Sequence, residues 1–435
     1  MTDTAYDYAA NCRSWPKVDG PFSVGTLEFE VTDPLRSSQY APTLTPTRRL
    51  YARAWYPAGD VTGCRRRPYF TEAEATALPC MMLSLFQQPV DALREGARLM
   101  TNAWADAPPA AGRFPVVGFN HGYTSYPSQQ TALFEHLAAR GYIILTVGHP
   151  WESGGIVYPD GDAITMSRRI VDDLTKLPVA TMLSAIAAPT LRQQLAALRA
   201  QVRSLRDGSM GRLASVWRDD VYFVLDRLEE NAVPAAAALA AAIDHDRRAY
   251  MGMSYGAYTA GLMTQGDPRA RALVHLDGGI WTWELVDTDL RTPFLTLGTD
   301  LWAPHRALPE LTPGVDPAIR EPVGPTTRAA QDLAYERHEA AGARTDGHRF
   351  LVPGINHLGV SDLPDLAGAP AIRAVLGTEE ALPRFTPIQN ALVGGFLDRY
   401  LGGIDNGFPG PALAACPEVI VQDLSWLRER ALAER

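Results

Sequence analysis

Apolar and polar residues alternate in part along Val24 to Val31 and again along Arg49 to Tyr56, and both runs are rich in β-formers. Pro42 and Pro46 lie in the turn-forming stretch between them, which predicts an opening antiparallel pair. From Phe114 the pattern changes. Phe114 to Phe119 is a continuous apolar run of strand length, Gln129 to Arg140 carries helical spacing closed by Gly141 in the C′ position, and Tyr142 to Val147 is a second apolar run. Strand, helix and strand in that order predict a parallel sheet.

After His149 the alternation stops for about a hundred residues. Within the break, Leu191, Leu195, Leu198, Val202 and Leu205 recur at spacings of four and three, with arginines on the other faces. That predicts an amphipathic helix, read as part of a cap packed over a site and not as a membrane-surface helix. Leu213, Val216, Trp217, Val221, Val224, Leu225 and Leu228 predict a second strong helix, followed by an Ala-rich spacer from Ala235 to Ala242. Strands are then expected at Ala272 to Leu276, Pro293 to Leu297 and Arg349 to Val352, and a last helix at Ile388 to Leu401. Gly59 to Pro109 shows no strong phase beyond room for one or two helices from Tyr69 onward. The expected organisation is one domain over 1–435, with an inserted helical cap at 157–212 and a C-terminal tail at 402–435.

One motif interrupts this pattern chemically. Gly252-Met253-Ser254-Tyr255-Gly256 reads GxSxG, with an apolar run (Ala249, Tyr250, Met251) before it and helix-compatible spacing from Ala257 to Met263 after it. Strand, tight turn and helix are the context in which such a serine forms the nucleophile elbow of an α/β-hydrolase. A serine hydroxyl attacks only with a base beside it, and the base needs a carboxylate to orient it. In this fold the order is serine, carboxylate, histidine. Of His305, His348 and His357, the last is favoured because it follows the final strand, whereas His348 stands at that strand's entry. Asp277 and Asp300 both end strands, and chain order does not choose between them. Apolar Leu276 and the Gly278-Gly279 pair favour Asp277 as the desolvated carboxylate. Two N–H donors complete the chemistry: that of Tyr255, after the serine, and that of Tyr123, after His121-Gly122. His121 itself precedes the serine and reads as a loop-stabilising side chain.

Composition narrows the class. Hydrophobic residues at 46% and charged residues at 20% fit a globular chain and exclude wholesale disorder. A net charge of −9, with no basic block beyond Arg65-Arg66-Arg67, argues against nucleic acid as a partner. Cys12, Cys64, Cys80 and Cys416 form no CxxC pair, which argues against a zinc site or a disulfide framework and leaves a single Cys64–Cys80 bridge open. HExxH and a Gly-rich nucleotide loop are both missing, so no metal or organic cofactor is expected. The N-terminal twenty residues lack a signal pattern and no apolar run approaches about 18 residues, which makes a cytoplasmic enzyme without a transmembrane segment the expectation.

The motifs together resemble a known family. FxHG at 119–122, FxxLAxxGY from Phe134 to Tyr142, GxSxG at 252–256, LDG at 276–278 and HxxVSD at 357–362 look like the platelet-activating-factor acetylhydrolase family of α/β-hydrolases. The resemblance runs from about Val24 to Leu401. It implies Ser254 as nucleophile, Asp277 as acid, His357 as base, and the N–H groups of Tyr123 and Tyr255 as the oxyanion hole. Met253 and Ala257 stand where the family often has His and Gly, and Gly278-Gly279-Ile280-Trp281 replaces its usual Ala-Trp pattern. These departures leave the three residues intact and bear on the acyl pocket. The implied activity is hydrolysis of a small-molecule, short-acyl carboxylic ester. Thioesterase, lactonase, polyester hydrolase and acyltransferase chemistry use the same residues, and a non-catalytic binding protein on the same fold is the remaining alternative.

Overall fold

The computed structural model describes residues 15–43, 47–78, 98–174, 207–278, 292–299, 345–366 and 370–422, together with position 96 and scattered positions between 193 and 204. Among the described residues eleven strands form one sheet. Strands β1 (Ser23–Asp33) and β2 (Arg48–Ala58) pair antiparallel along their whole length, from Ser23 against Ala58 to Asp33 against Arg48. The short strands β3 (Arg65–Pro68) and β4 (Met100–Ala105) lie outside β1. Both fall in the stretch whose hydrophobic pattern showed no phase. Helix Glu72–Ala77 lies there too, opened by a capping box in which Thr71 and Glu74 satisfy each other's backbone N–H groups.

β5 (Phe114–Asn120), β6 (Ile143–Gly148), β9 (Ile243–Met253), β10 (Ala270–Leu276), β11 (Phe294–Thr299) and β12 (Gly347–Val352) form the parallel body, in the order β12-β11-β10-β9-β5-β6. β2 joins β6 antiparallel. β7 (Gly155–Val157) and β8 (Ala163–Thr165) make a separate hairpin after β6. It is followed by helix Arg168–Leu174. The apolar positions from Leu191 to Leu205 lie outside the described residues, as do Cys12, Cys80, Asp300 and His305. Cys64 and Cys416 are free thiols.

The parallel strands are apolar on both faces because helices cover both. Val117, Ile144, Met251 and Val274 face helices Thr131–Ala139 and Leu382–Tyr400, while their neighbours Val116, Leu145, Tyr250 and Leu273 face helix Ser209–Glu229. That last helix buries Leu213, Trp217, Val221, Val224, Leu225 and Leu228 along one stripe. The Ala-rich spacer is a helix, Ala237–Ala242, and β9 is correspondingly longer than its apolar run alone suggests. In the C-terminal segment, Gly410–Ala415 is helical and β13 (Ile420–Val421) pairs antiparallel with β12.

β5 pairs with β6 on one side and with β9 on the other, so the order of parallel strands reverses between β5 and β9. Such a reversal leaves a crevice at the carboxyl ends of the two strands, where open α/β sheets bind ligands. Asn120 ends β5 and Met253 ends β9.

Candidate active site

Ser254 stands between the end of β9 and the start of helix Tyr255–Gly266, with φ 56° and ψ −122°. A non-glycine residue with positive φ here is strained, and the turn persists because its surroundings hold it. The Ser254 N–H donates to the Leu276 carbonyl at 2.9 Å, tying the turn to β10. Two glycines make the turn sterically feasible. A Cβ on Gly252 would lie 2.1 Å from the Gly256 carbonyl oxygen, and one on Gly256 would lie 2.1 Å from the Asn120 oxygen and 2.4 Å from that of His121. Helix and both strands therefore touch through backbone alone.

Asp277 follows β10, buried and also at positive φ, 44°. Its N–H donates to the Leu297 carbonyl at 2.7 Å, and Thr299 at the end of β11 donates to its carboxylate from the backbone N–H at 3.1 Å and from the hydroxyl at 3.0 Å. His357 begins a short 3-10 turn beyond β12, where the Asn356 side chain accepts its N–H at 2.7 Å. The structure brings the three residues together. His357 Nδ1 lies 2.6 Å from Asp277 Oδ2, and its Nε2 lies 2.8 Å from Ser254 Oγ. In a neutral imidazole these contacts place the proton on Nδ1 and leave Nε2 to accept the serine proton. His348, the other described candidate, sits at the start of β12 and bonds the Tyr400 hydroxyl at 2.9 Å.

The loop after β5 lies against the serine. A Cβ on Gly122 would be 3.6 Å from Ser254 Cβ, and the Tyr123 ring packs edge-on against that of Tyr255 at 5.2 Å. His121 points away beneath the loop, with Nδ1 at 2.8 Å from the Gly122 carbonyl and Nε2 at 2.7 Å from Ser153 Oγ. Burial, with His149 beside it, pushes its pKa down to about 3, so it is neutral and donates to the carbonyl from Nδ1.

The loop of His357 and the loop of Gly122 are clamped together by Gln129 and Gln130, which the motif reading did not single out, and by Asp362, the last residue of the HxxVSD motif. Gln129 accepts the Gly122 N–H at 2.8 Å, Gln130 donates to the Val360 carbonyl at 2.8 Å, and the Asp362 N–H donates to the Gln129 carbonyl at 2.9 Å. The Asp362 carboxylate accepts the N–H groups of Thr131 and Ala132 at the start of their helix, and the Tyr69 hydroxyl at 2.9 Å.

A second buried cluster lies behind the loop. Arg48 makes two hydrogen bonds to Glu152, at 3.0 and 2.8 Å, and two to Asp220, at 2.8 and 2.7 Å; Trp217 Nε1 donates to Glu152 at 2.9 Å. His149 stacks on Trp217 at 4.3 Å and bonds Asp220 through Nδ1 at 2.8 Å. His149, Glu152 and Asp220 bring ligand atoms within 4.8 Å of one another, a spacing that a metal ion could use, but these carboxylates already hold the Arg48 guanidinium, and Asp220 also pairs with Arg36 at 2.8 Å. Burial opposes ionisation of Asp220, and Arg48 outweighs it, holding the carboxyl well below its ordinary range. Among the described residues no helix is long and apolar enough to cross a membrane.

A parallel sheet extended by an antiparallel pair, with its serine on a strained strand-to-helix turn at the switch point, defines an α/β-hydrolase. In three dimensions the chain is similar to a ferulic acid esterase from Streptomyces cinnamoneus, with a TM-score of 0.66 and 21% identity over 95% of this chain and 100% of that one. At that identity the likeness is one of fold. The chain belongs to the platelet-activating factor acetylhydrolase, isoform II, family, whose model matches residues 9–306, and it is a carboxylic ester hydrolase. No curated protein matches it in sequence. His357 lies beyond the matched stretch, so its place in the site rests on its hydrogen bonds to Ser254 and Asp277.

Proposed function

We propose that this chain hydrolyses short-acyl carboxylic esters with Ser254 as nucleophile, His357 as general base and Asp277 as the carboxylate that orients it. The observation that carries the reading is the continuous hydrogen-bonded line from Asp277 through His357 to Ser254, at 2.6 and 2.8 Å. Family membership supports an ester as the substrate, and the family's description names an acetyl group as the one removed.

In this scheme the Ser254 oxygen attacks the ester carbon as its proton passes to His357 Nε2. The imidazolium that forms is stabilised by buried Asp277. Charge develops on the former carbonyl oxygen, which the backbone N–H groups of Tyr123 and Tyr255 receive. No acceptor for the Tyr123 N–H is found among the described residues, which suits a donor reserved for substrate. A donor of this kind is worth about 10² to 10³ in turnover. His357 then returns the proton to the departing alcohol. Water, activated by the same imidazole, attacks the acyl-Ser254 ester and releases the acid.

The insertion at 157–212 serves as a cap that limits the acyl length. Ile170 and Met210 from its two ends pack in one apolar cluster with Tyr123 and Tyr255, which supports its closeness to the reacting atoms.

A fluorophosphonate probe should label Ser254, and Ser254→Ala should lose both labelling and about 10⁶ in turnover while staying folded. Turnover of a nitrophenyl ester series from acetyl to dodecanoyl should be fastest at the short end. A folded Ser254→Ala variant with a tenth of the wild-type activity would end this reading.

A further inference from the structure

Tyr123 and Tyr255 carry phenols as well as backbone N–H groups, and each phenol reaches the insertion. The Tyr123 hydroxyl donates to the Ile170 carbonyl at 2.9 Å, on helix Arg168–Leu174 where the chain enters the insertion. The Tyr255 hydroxyl donates to the Met210 carbonyl, in the first turn of helix Ser209–Glu229 where the chain leaves it. Each carbonyl has two lone pairs, so it accepts a phenol without giving up its helical bond. The two rings meet edge-on at 79°, and the Tyr255 ring stands edge-on to Trp217 at 5.0 Å. Neither ring can swing without pushing its neighbour.

Helix Arg168–Leu174 is in turn fastened from the outside. Tyr40 donates to Asp173 at 2.8 Å, and Arg169 donates to the carbonyls of Gln39 and Ala41 at 2.7 and 3.1 Å. Burial raises the pKa of both site phenols, with Tyr40 adding to the effect on Tyr123 and Tyr258 to that on Tyr255, so both remain donors at neutral pH.

We propose that the Tyr123 and Tyr255 side chains are positioning residues that couple the insertion to the oxyanion hole. The inference rests on the hole assignment made under Proposed function. The two ends of the insertion each hold one N–H donor of the hole, through ring and hydroxyl. With the Ile170 and Met210 carbonyls holding the two phenols, both donors face the developing oxyanion; loss of either bond frees the ring that holds its donor. Misplacement by about 1 Å is enough to cost about 10² in rate. The ester's ground state leans little on these donors, so coupling acts on turnover and spares the Michaelis constant.

The test compares Tyr123→Phe, Tyr255→Phe and the double variant with Tyr222→Phe. Tyr222 donates to the Met263 carbonyl at 2.6 Å, a bond of the same kind on the same helix as Tyr255 but outside the insertion's ends. Rates are divided by active-site concentration from fluorophosphonate titration, so that loss of folded protein does not enter. Each site variant should lower kcat on a nitrophenyl ester about tenfold with KM changed less than about twofold. Inhibition by a trifluoromethyl ketone, which forms a tetrahedral adduct, should weaken in proportion. The double variant should lose less than the product of the singles, because both tethers hold one segment. Tyr222→Phe should keep its kcat. Unchanged kcat and ketone affinity in both single variants, or an equal loss in Tyr222→Phe, would overturn the coupling. Should Ser254→Ala be inactive while the phenylalanine variants are normal, the coupling alone fails; should Ser254→Ala stay active, the site assignment fails.

Discussion

Thr299 holds Asp277 by two hydrogen bonds, one from its backbone N–H to Oδ1 and one from its hydroxyl to Oδ2, the oxygen that also faces His357 Nδ1. The carboxylate is thereby fixed in rotation as well as position. Hydrogen bonds to a charged group are worth about 1.5 to 3 kcal/mol. Thr299→Val should therefore lower kcat by about tenfold, with KM little changed. Asp277→Asn removes the charge and favours the wrong imidazole tautomer, at a cost of up to about 10⁴. Asp300→Asn should cost about tenfold or less on the same ester, and the reverse ranking of the two Asp→Asn variants would move the orienting carboxylate to Asp300.

Gly256→Ala tests the backbone contact under the serine. Its methyl carbon would sit 2.1 Å from the Asn120 oxygen, whereas carbon and oxygen ordinarily approach to about 3.3 Å. The helix must retreat by roughly 1 Å, carrying Tyr255 with it. A loss of about 1 to 3 kcal/mol in stability and about a hundredfold in kcat is expected. Urea unfolding and steady-state kinetics on the purified variant give both numbers, and a variant as active and as stable as the parent would contradict the packing described.

Arg48→Met leaves Glu152 buried without its counter-ion and Asp220 with Arg36 alone. Such a removal costs about 3 to 5 kcal/mol. Arg49, beside it on β2, pairs with Glu30, Asp160 and Asp162 in partly exposed positions, and Arg49→Met should cost only about 1 kcal/mol. Similar urea midpoints for the two variants would show that the buried cluster is not a stability element.

Stability should fall in mild acid. Burial depresses the pKa of His121 to about 3 and of His136 and His348 to about 4, with His149, Arg140 and Arg399 respectively adding to the effect, against an ordinary 6.5. Below 6.5 the unfolded chain binds these protons and the native state does not, so unfolding is increasingly favoured as the pH drops toward about 4. Asp220 acts lower: its pKa is depressed, so its contribution is lost as the pH falls below its ordinary 3.8. Melting temperature should decline between about pH 6.5 and 4.5, and less steeply in His348→Phe; a flat profile would refute the assignment of neutral buried histidines.

What could be read from the sequence follows from the range of each interaction. The turn at Ser254 is local: an apolar run, two glycines four apart and a helical pattern are all contiguous, so the motif and its context agree before any coordinates. Chain order and strand ends point to His357 and narrow the carboxylate to Asp277 or Asp300, and the apolar and glycine neighbours of Asp277 favour it. Thr299 and Gln129 act through contacts between distant loops, and nothing in their neighbours distinguishes them from solvated residues; Asp362 closes the HxxVSD motif, which marks the residue without revealing the clamp it forms. Asp220 did leave a trace. It falls on the buried stripe of its helix, three residues after Trp217 and four before Val224, where a carboxylate must have a partner. β3 remained hidden because Arg65-Arg66-Arg67 reads as surface charge. The capping box at Thr71 and Glu74 was readable, and a reading by periodicity passes over it.

The ends of the large sheet carry a consequence for self-association. A strand edge offers unpaired N–H and carbonyl groups to any other chain. At one end that edge is β3, four residues made of three arginines and a proline, which repel and fail to donate. At the other end β12 is apolar at Phe350, Leu351 and Val352, and among the described residues only the two-residue strand Ile420–Val421 pairs with its outer edge, helped by the Gln422 N–H on the Arg349 carbonyl. A chain shortened before Ile420 would keep its active-site residues yet expose a ready template for intermolecular pairing. The protection of this edge against another chain thus lies in a few residues far from the serine.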